Sequence, residues 1–463
     1  MRRLFKSGRV VTADHDAVAD VLTDGERVVR VAESIDEPVD ETIDCAGRWV
    51  MPGFIDPHVH IYLPFMGTYA KDDYDSGSRA ALVGGTTTLI EMCCPSQDDD
   101  PWEAFELWRG KAEGVSACDF TFHMGVSRFD HSTREKLRRI VDAGIMSLKV
   151  FLAYKGAFAV DDSQLYEVCR FAKEHDLVVT AHCENAELVA ATQARLVADG
   201  KVGPEWHEPS RPTSVEAEGV HHFCTFLEMT GAKGYIVHTS CREAVEAAMK
   251  FRDRGVDVEI ETVIPYLTLD SSYAERPDFE GAKYVMSPPI RAAEHQAYLW
   301  DRLIDGTIAT VATDHAPFDF GDQKRMGQPP GGDFTMIPNG IPSVEHRVRL
   351  LYTSGVVPGR ITPSRFVALA STNAAKIFGM HPSKGTIAEG SDADLVVWDP
   401  DHRDTITAAG HVMNTDYDAF EGVEVFGRTD RVYVRGDLMV EDGTFVGRLG
   451  HGRMVPRGAK SEI

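Results

Sequence analysis

Eight apolar stretches with strand character recur along the middle of this chain, separated by segments of helical period. The strands read at residues 86–93, 120–126, 147–153, 177–183, 234–240, 256–263 and 308–313, with one more ending at His58. Helical patterns lie at 102–111, 133–143, 163–174, 214–229, 242–253 and 294–304. Strands joined through helices are parallel, because only a crossover connection can reach a parallel partner. Eight such units over roughly 250 residues or more match a closed (β/α)8 barrel better than an open doubly wound sheet. The expected fold class is therefore α/β, a TIM-like barrel.

Two further helices follow at 344–352 and 363–377. Both chain ends have β character: short strands and the turn signal Asp24-Gly25 before residue 50, then apolar runs at 393–398 and 431–434. At 463 residues the chain exceeds one ordinary domain. The simplest architecture gives both ends to a smaller β-sandwich domain, residues 1–50 and 379–463, around a catalytic barrel at 51–378. The last stretch, 449–463, is rich in Gly and Arg and reads as an extended tail that packs on a neighbouring subunit.

A net charge of -24 offers no basic face, so neither nucleic acid nor an anionic membrane is an expected partner. No apolar run is long enough to span a bilayer, and residues 1–14 lack the apolar core of a secretory signal. The eight cysteines contain no Cys-x-x-Cys pair, which fits buried thiols in a reducing, cytoplasmic setting.

In a barrel, the groups at the C-terminal strand ends carry the chemistry. The stretch Gly53-Phe54-Ile55-Asp56-Pro57-His58-Val59-His60 ends one strand with two histidines two residues apart. Residues i and i+2 of a strand share a side, so His58 and His60 project together, as half of a metal site would. In Ser147-Leu148-Lys149-Val150-Phe151, Lys149 alternates with two apolar residues and points into the barrel. A lysine there is costly without a partner or a function. Three other strands end Thr180-Ala181-His182, Ile236-Val237-His238 and Ala312-Thr313-Asp314, with His182, His238 and Asp314 inward by the same parity. Singly, such a histidine is most often a hydrogen-bonded core residue, and an inward lysine half of an ion pair. Their number and placement make them a candidate site. His123, His221 and His222 read as structural.

This set resembles the amidohydrolase superfamily, and within it the dihydropyrimidinase and D-hydantoinase family. The likeness covers nearly the whole chain and includes Gly84-Gly85-Thr86-Thr87-Thr88, Tyr154-Lys155, Ser287-Pro288-Pro289, Pro338-Asn339-Gly340 and Asp416-Tyr417-Asp418-Ala419-Phe420-Glu421-Gly422. The resemblance implies a metallo-dependent hydrolase barrel with two divalent metal ions, Zn2+ suiting the His and carboxylate ligands. His58, His60 and Asp314 would hold one ion, and His182 and His238 the other. Lys149, as a CO2-derived carbamate, would bridge them. A metal-bridging hydroxide would open the ring of a dihydropyrimidine or 5-substituted hydantoin to an N-carbamoyl amino acid. Asp314 would shuttle the proton and Tyr154 would bind substrate and stabilise the oxyanion. Backbone groups at Ser287 and Asn339 would hold the ring, and Leu63 and Phe65 would offer apolar contact to its substituent. The family usually forms homotetramers.

Two rival readings remain. One is another cyclic amidase, an allantoinase or dihydroorotase; dihydroorotases carry an arginine two residues after the second histidine, where this chain has Tyr62. The other is a non-enzymatic dihydropyrimidinase-related scaffold that has lost metal residues. This chain retains all six.

Overall fold

The computed structural model describes residues 1–463. Eight parallel strands form the barrel: β1 (Phe54–Val59), β2 (Thr86–Cys93), β3 (Asp119–Gly125), β4 (Ser147–Phe151), β5 (Val178–His182), β6 (Lys233–Ile236), β7 (Val258–Val263) and β8 (Thr310–Ala312). Each pairs with the next in this order. The ring closes at its top, where Asp314 N donates to His58 O (3.0 Å) and His60 N to His315 O (2.8 Å). β6 and β8 are shorter than the apolar runs that announced them, because residues 237–240 and 313–314 leave the ladder at the mouth of the barrel.

Two apolar layers result from strand alternation. Ile55, Ile90, Met92, Tyr235 and Phe378 form part of one inner cluster. Leu148 and Val150 face outward with the helix residues Leu165 and Phe171. That parity turns Lys149 inward, as its neighbours required.

Two helices were not legible as amphipathic patterns. Tyr74–Val83 is buried largely through small residues, Ser76, Gly77, Ser78, Ala80 and Ala81, so it shows no large apolar face. Its one local signal is the capping box of Asp73 and Ser76. Ala186–Ala198 lies mostly at the surface and buries only Val189 and Leu196.

The chain ends form a nine-stranded mixed sheet. Its first strand, Arg2–Val11, breaks register between Phe5 and Gly8, and Ser7 there has φ 62°. Before the break it pairs with Glu41–Asp44, and after it with Trp49–Pro52. This bulge bends the sheet. Phe5 therefore meets Tyr433 with ring centroids 5.0 Å apart, although their strands are three places apart in the sheet. A flat sheet would separate them by about 14 Å.

Residues 450–458 of the tail run along the chain's own barrel. Phe120 N donates to Arg453 O (3.1 Å), Val455 N to Phe120 O (2.8 Å) and Gly452 N to Ser116 O (2.8 Å). The tail covers the end of the barrel opposite the strand-end histidines. Nearby, Lys384 Nζ joins Asp119 (2.7 Å) to Asp394 (2.6 Å), tying the start of β3 to the terminal sheet. All eight cysteines are buried and unpaired. No helix is long and apolar enough to cross a membrane.

Candidate active site and metal centre

The closure of β1 on β8 creates the first half of the site. Asp56, fully buried on β1, accepts from Thr313 Oγ1 (2.6 Å) and faces Arg347 (3.7 Å). This junction holds the two strand ends side by side. His58 Nε2 then lies 3.1 Å and His60 Nε2 3.2 Å from the same oxygen of Asp314. Across the mouth, His182 Nδ1 lies 3.0 Å from His238 Nε2. Lys149 is fully buried between these pairs, and its Nζ has no hydrogen-bond partner.

The arrangement is strained. Tyr154, His238 and Asp314 have φ of 64°, 39° and 51°. Non-glycine residues in that region cost about 1–3 kcal/mol each, and such strain collects where function holds a side chain in place.

The protonation states suit cation binding. Burial drives His60 down to about 4, and it lowers His182 and His238 as well. These rings present lone pairs at neutral pH. Burial also opposes a charge on His58, but Glu261 and Asp314 raise it overall. Burial pushes the Asp314 carboxyl up, and the surrounding His58, His60 and His238 rings bring it well below the usual range. Carboxylates set two of the tautomers: Glu261 lies 2.8 Å from His58 Nδ1, and Glu184 lies 2.8 Å from His182 Nε2. The remaining nitrogens, His58 Nε2 and His182 Nδ1, face the cluster, as in metal-ligating histidines generally. His182 and His238 cannot both be donors at their contact. A cation shared between lone pairs satisfies both, so the residues present fit a metal centre.

The amidohydrolase family model matches residues 49–439. A D-hydantoinase of Geobacillus stearothermophilus is 43% identical over 458 residues, covering 99% of this chain and 97% of the relative. The solved structure of a D-hydantoinase (dihydropyrimidinase) from Thermus sp. superposes with a TM-score of 0.96 at 55% identity, covering 99% of each chain. The crystal structure of dihydropyrimidinase from Brevibacillus agri gives a TM-score of 0.98 at 41% identity over all of both chains. The chain belongs to the dihydropyrimidinase/D-hydantoinase family. As an amidohydrolase of that family it is an enzyme, with a metal site at His58, His60 and Asp314.

In this amidohydrolase, a cavity opens over the cluster. Its wall contains His60, Lys149, His182, His238 and Asp314, together with Leu63, Phe65, Tyr154, Ser287 and Asn339. All these sequence-derived positions meet in one pocket; His58 lies beneath it, 0% exposed. Tyr62 does not line it. Its ring turns outward, 4.9 Å from Trp108, with Lys111 over it at 4.1 Å. His123 is a satisfied core residue, within hydrogen-bond distance of Pro57 O (2.9 Å) and Ser147 Oγ (2.6 Å). His221 and His222 lie on the helix Thr213–Thr230, outside the cavity wall.

Sequence reasoning missed Glu261, Glu184 and Arg211; Phe151 and Phe158 add aromatic walls to the cavity. Glu261 carries the same signal as Lys149, a charged residue alternating inward on an apolar strand. Glu184 and Arg211 carry none: their contact of 2.5 Å links a strand-end loop to a segment 27 residues on. Burial raises Glu184, but Arg211 and His182 outweigh it and leave the carboxyl at about 2, a fixed anion behind the His182 ring.

Proposed function

We propose that this enzyme hydrolyses a neutral cyclic amide, a dihydropyrimidine or a 5-substituted hydantoin, to an N-carbamoyl amino acid. The observation that carries this reading is the cavity wall. It joins the histidine, lysine and aspartate cluster to apolar side chains and contains no arginine. A substrate carboxylate would enter without a cationic fork to replace its hydration, a cost of several kcal/mol. A neutral ring avoids that cost, and its substituent gains ~25 cal/mol per Å² against Leu63, Phe65, Phe151 and Phe158.

The ligand roles extend the His58–His60–Asp314 site. His182 and His238 hold a second ion, and Lys149 lies between the pairs as a carbamate. Burial lowers the Lys149 amine to about 8, which leaves part of it neutral and nucleophilic toward CO2 near neutral pH. The added carboxylate occupies the space where Nζ now has no partner. Zinc fits the nitrogen and carboxylate donors. When bound, a pair of divalent ions supplies an activated water and polarises the amide carbonyl.

The chain's own groups do the rest. Peptide groups at Ser287 and Asn339 orient the ring. Tyr154 donates its hydroxyl hydrogen to the carbonyl oxygen as negative charge develops there. Asp314 accepts the proton released in the attack and returns it to the ring nitrogen as the C–N bond breaks. The family resemblance also supports a homotetramer, and the unpaired cysteines support a cytoplasmic setting.

The test is hydrolysis of dihydrouracil, hydantoin, 5-substituted hydantoins, allantoin and dihydroorotate, with metal analysis of the same preparation. Two ions per chain and the highest kcat/KM on a hydantoin or dihydropyrimidine are expected. Preference for allantoin or dihydroorotate overturns the substrate assignment.

A further inference from the structure

We infer that Lys324 is the positioning residue of the ring cradle, gathering neighbouring carbonyls so that the peptide groups of Ser287 and Asn339 stay free for substrate. This rests on the reading of Ser287 and Asn339 as ring-binding positions.

Lys324 is fully buried, yet no carboxylate pairs with it. Its Nζ donates to Val285 O (2.9 Å), Pro338 O (2.6 Å) and Gly340 O (2.7 Å). Val285 lies two residues before Ser287, and Pro338 and Gly340 flank Asn339 on either side. Gly340 N also donates to Val285 O (3.0 Å), so the two loops are tied to each other as well as to the lysine. The first loop is pinned twice more. His207 Nε2 donates to Met286 O (2.8 Å) and the Tyr266 hydroxyl to Pro288 O (2.6 Å).

Five carbonyls around Ser287 and Asn339 are therefore occupied. The main-chain N–H and C=O of Ser287 and Asn339 themselves have no partner in the chain, although both residues line the cavity. Ser287 is buried and Asn339 half-buried on the cavity wall, so these free peptide groups can pair with a ligand that enters it. A cyclic imide, with its alternating C=O and N–H groups, complements a peptide edge. Gly340 adds a steric reason for the fixed geometry. Its φ is 141°, and a Cβ there would lie 2.5 Å from Ala316.

The chemistry selects lysine. Burial lowers its pKa, but three carbonyls require three N–H donors at one point, which only the ammonium form supplies. A planar guanidinium cannot converge its donors in that way. Removing the side chain leaves three carbonyl oxygens around a space suited to a small cation.

The test uses the metal-loaded enzyme with Lys324→Met and Lys324→Ala. Both variants are expected to keep their metal, while KM for a ring substrate rises about ten-fold or more and kcat changes little, as for lost ground-state positioning. Ammonium or methylammonium is expected to restore Lys324→Ala in a dose-dependent way and to leave Lys324→Met unchanged. Hydrogen exchange at 285–290 and 338–341 should quicken in Lys324→Ala and slow again with ammonium. Unchanged KM, absence of rescue, or loss of the folded protein in both variants overturns the inference. If the unsubstituted enzyme opens no hydantoin or dihydropyrimidine, the proposed substrate falls separately; the exchange measurement still judges the clamp.

Discussion

Glu261 lies 2.8 Å from His58 Nδ1, and the same carboxylate oxygen accepts from His238 N, also at 2.8 Å. One buried carboxylate thus aligns histidines from both halves of the site. Glu261→Gln keeps the shape and removes the charge that sets the His58 tautomer. Metal affinity is expected to fall about ten-fold or more, measured by competition with a chelator. Equal affinity would return Glu261 to a purely structural role.

Lys149→Ala should lose bound metal and activity together, because it removes the group that stands between the two histidine pairs. Acetate or propionate, entering the vacated space as a free carboxylate, should restore part of both. NMR with isotopically labelled bicarbonate reads the carbamate directly. An unmodified Lys149 in a metal-loaded, active enzyme would falsify the assignment.

Asp314→Asn is expected to lower kcat by about 100-fold or more with the fold intact, since an amide cannot carry the proton. Circular dichroism checks the fold. Retention of most of kcat would assign the proton transfer to another group.

Dihydroorotate should not be turned over. Tyr62 faces Trp108 and leaves the cavity wall to Leu63 and Phe65, so the residue that carried the sequence argument lies outside the pocket. The absence of any arginine from the wall carries the argument instead. Measurable kcat/KM on dihydroorotate comparable with that on hydantoin contradicts it.

A second polar cluster governs stability. Asp418 lies 2.7 Å from His346 Nε2 and 3.0 Å from His411 Nδ1. Burial raises Asp418, but both histidines bring it far below its ordinary value; burial lowers His411, but Asp418 and Thr415 O raise it overall. The carboxylate's contribution is present above its unfolded pKa of ~3.9 and lost as pH falls through the depressed folded value. The histidine's contribution is full below ~6.5 and lost as pH rises through its raised folded value. Asp418→Asn should therefore cost most near pH 5–6, about 3 kcal/mol, with the difference narrowing on either side. Denaturant titrations across pH measure this. A flat difference would show that the cluster does not titrate with folding.

Much of the architecture was legible because two periodicities with different physical origins are written over the same residues. Apolar runs located all eight barrel strands, and inward parity located Lys149, His182, His238 and Asp314 at their ends. The helix Tyr74–Val83 escaped because small residues bury without showing an apolar face. Glu184, Arg211 and Lys324 escaped because their partners are distant in sequence, and only the closed barrel brings them together. The tail's intrachain contacts were hidden for the same reason: residues 453–455 pair with Phe120 of β3, more than 300 positions earlier.

The order in which the ribosome delivers these parts matters. Trp49–Pro52 emerges early, but its antiparallel neighbour is Leu395–Thr405, and the barrel base waits for Met454. For most of synthesis, the terminal sheet has an unpaired apolar edge and β3 lacks the last chain segment that lies along it. Such edges recruit other strands when they persist. Final assembly thus follows delivery of Met454, and the interval before it is the one in which chaperones can act.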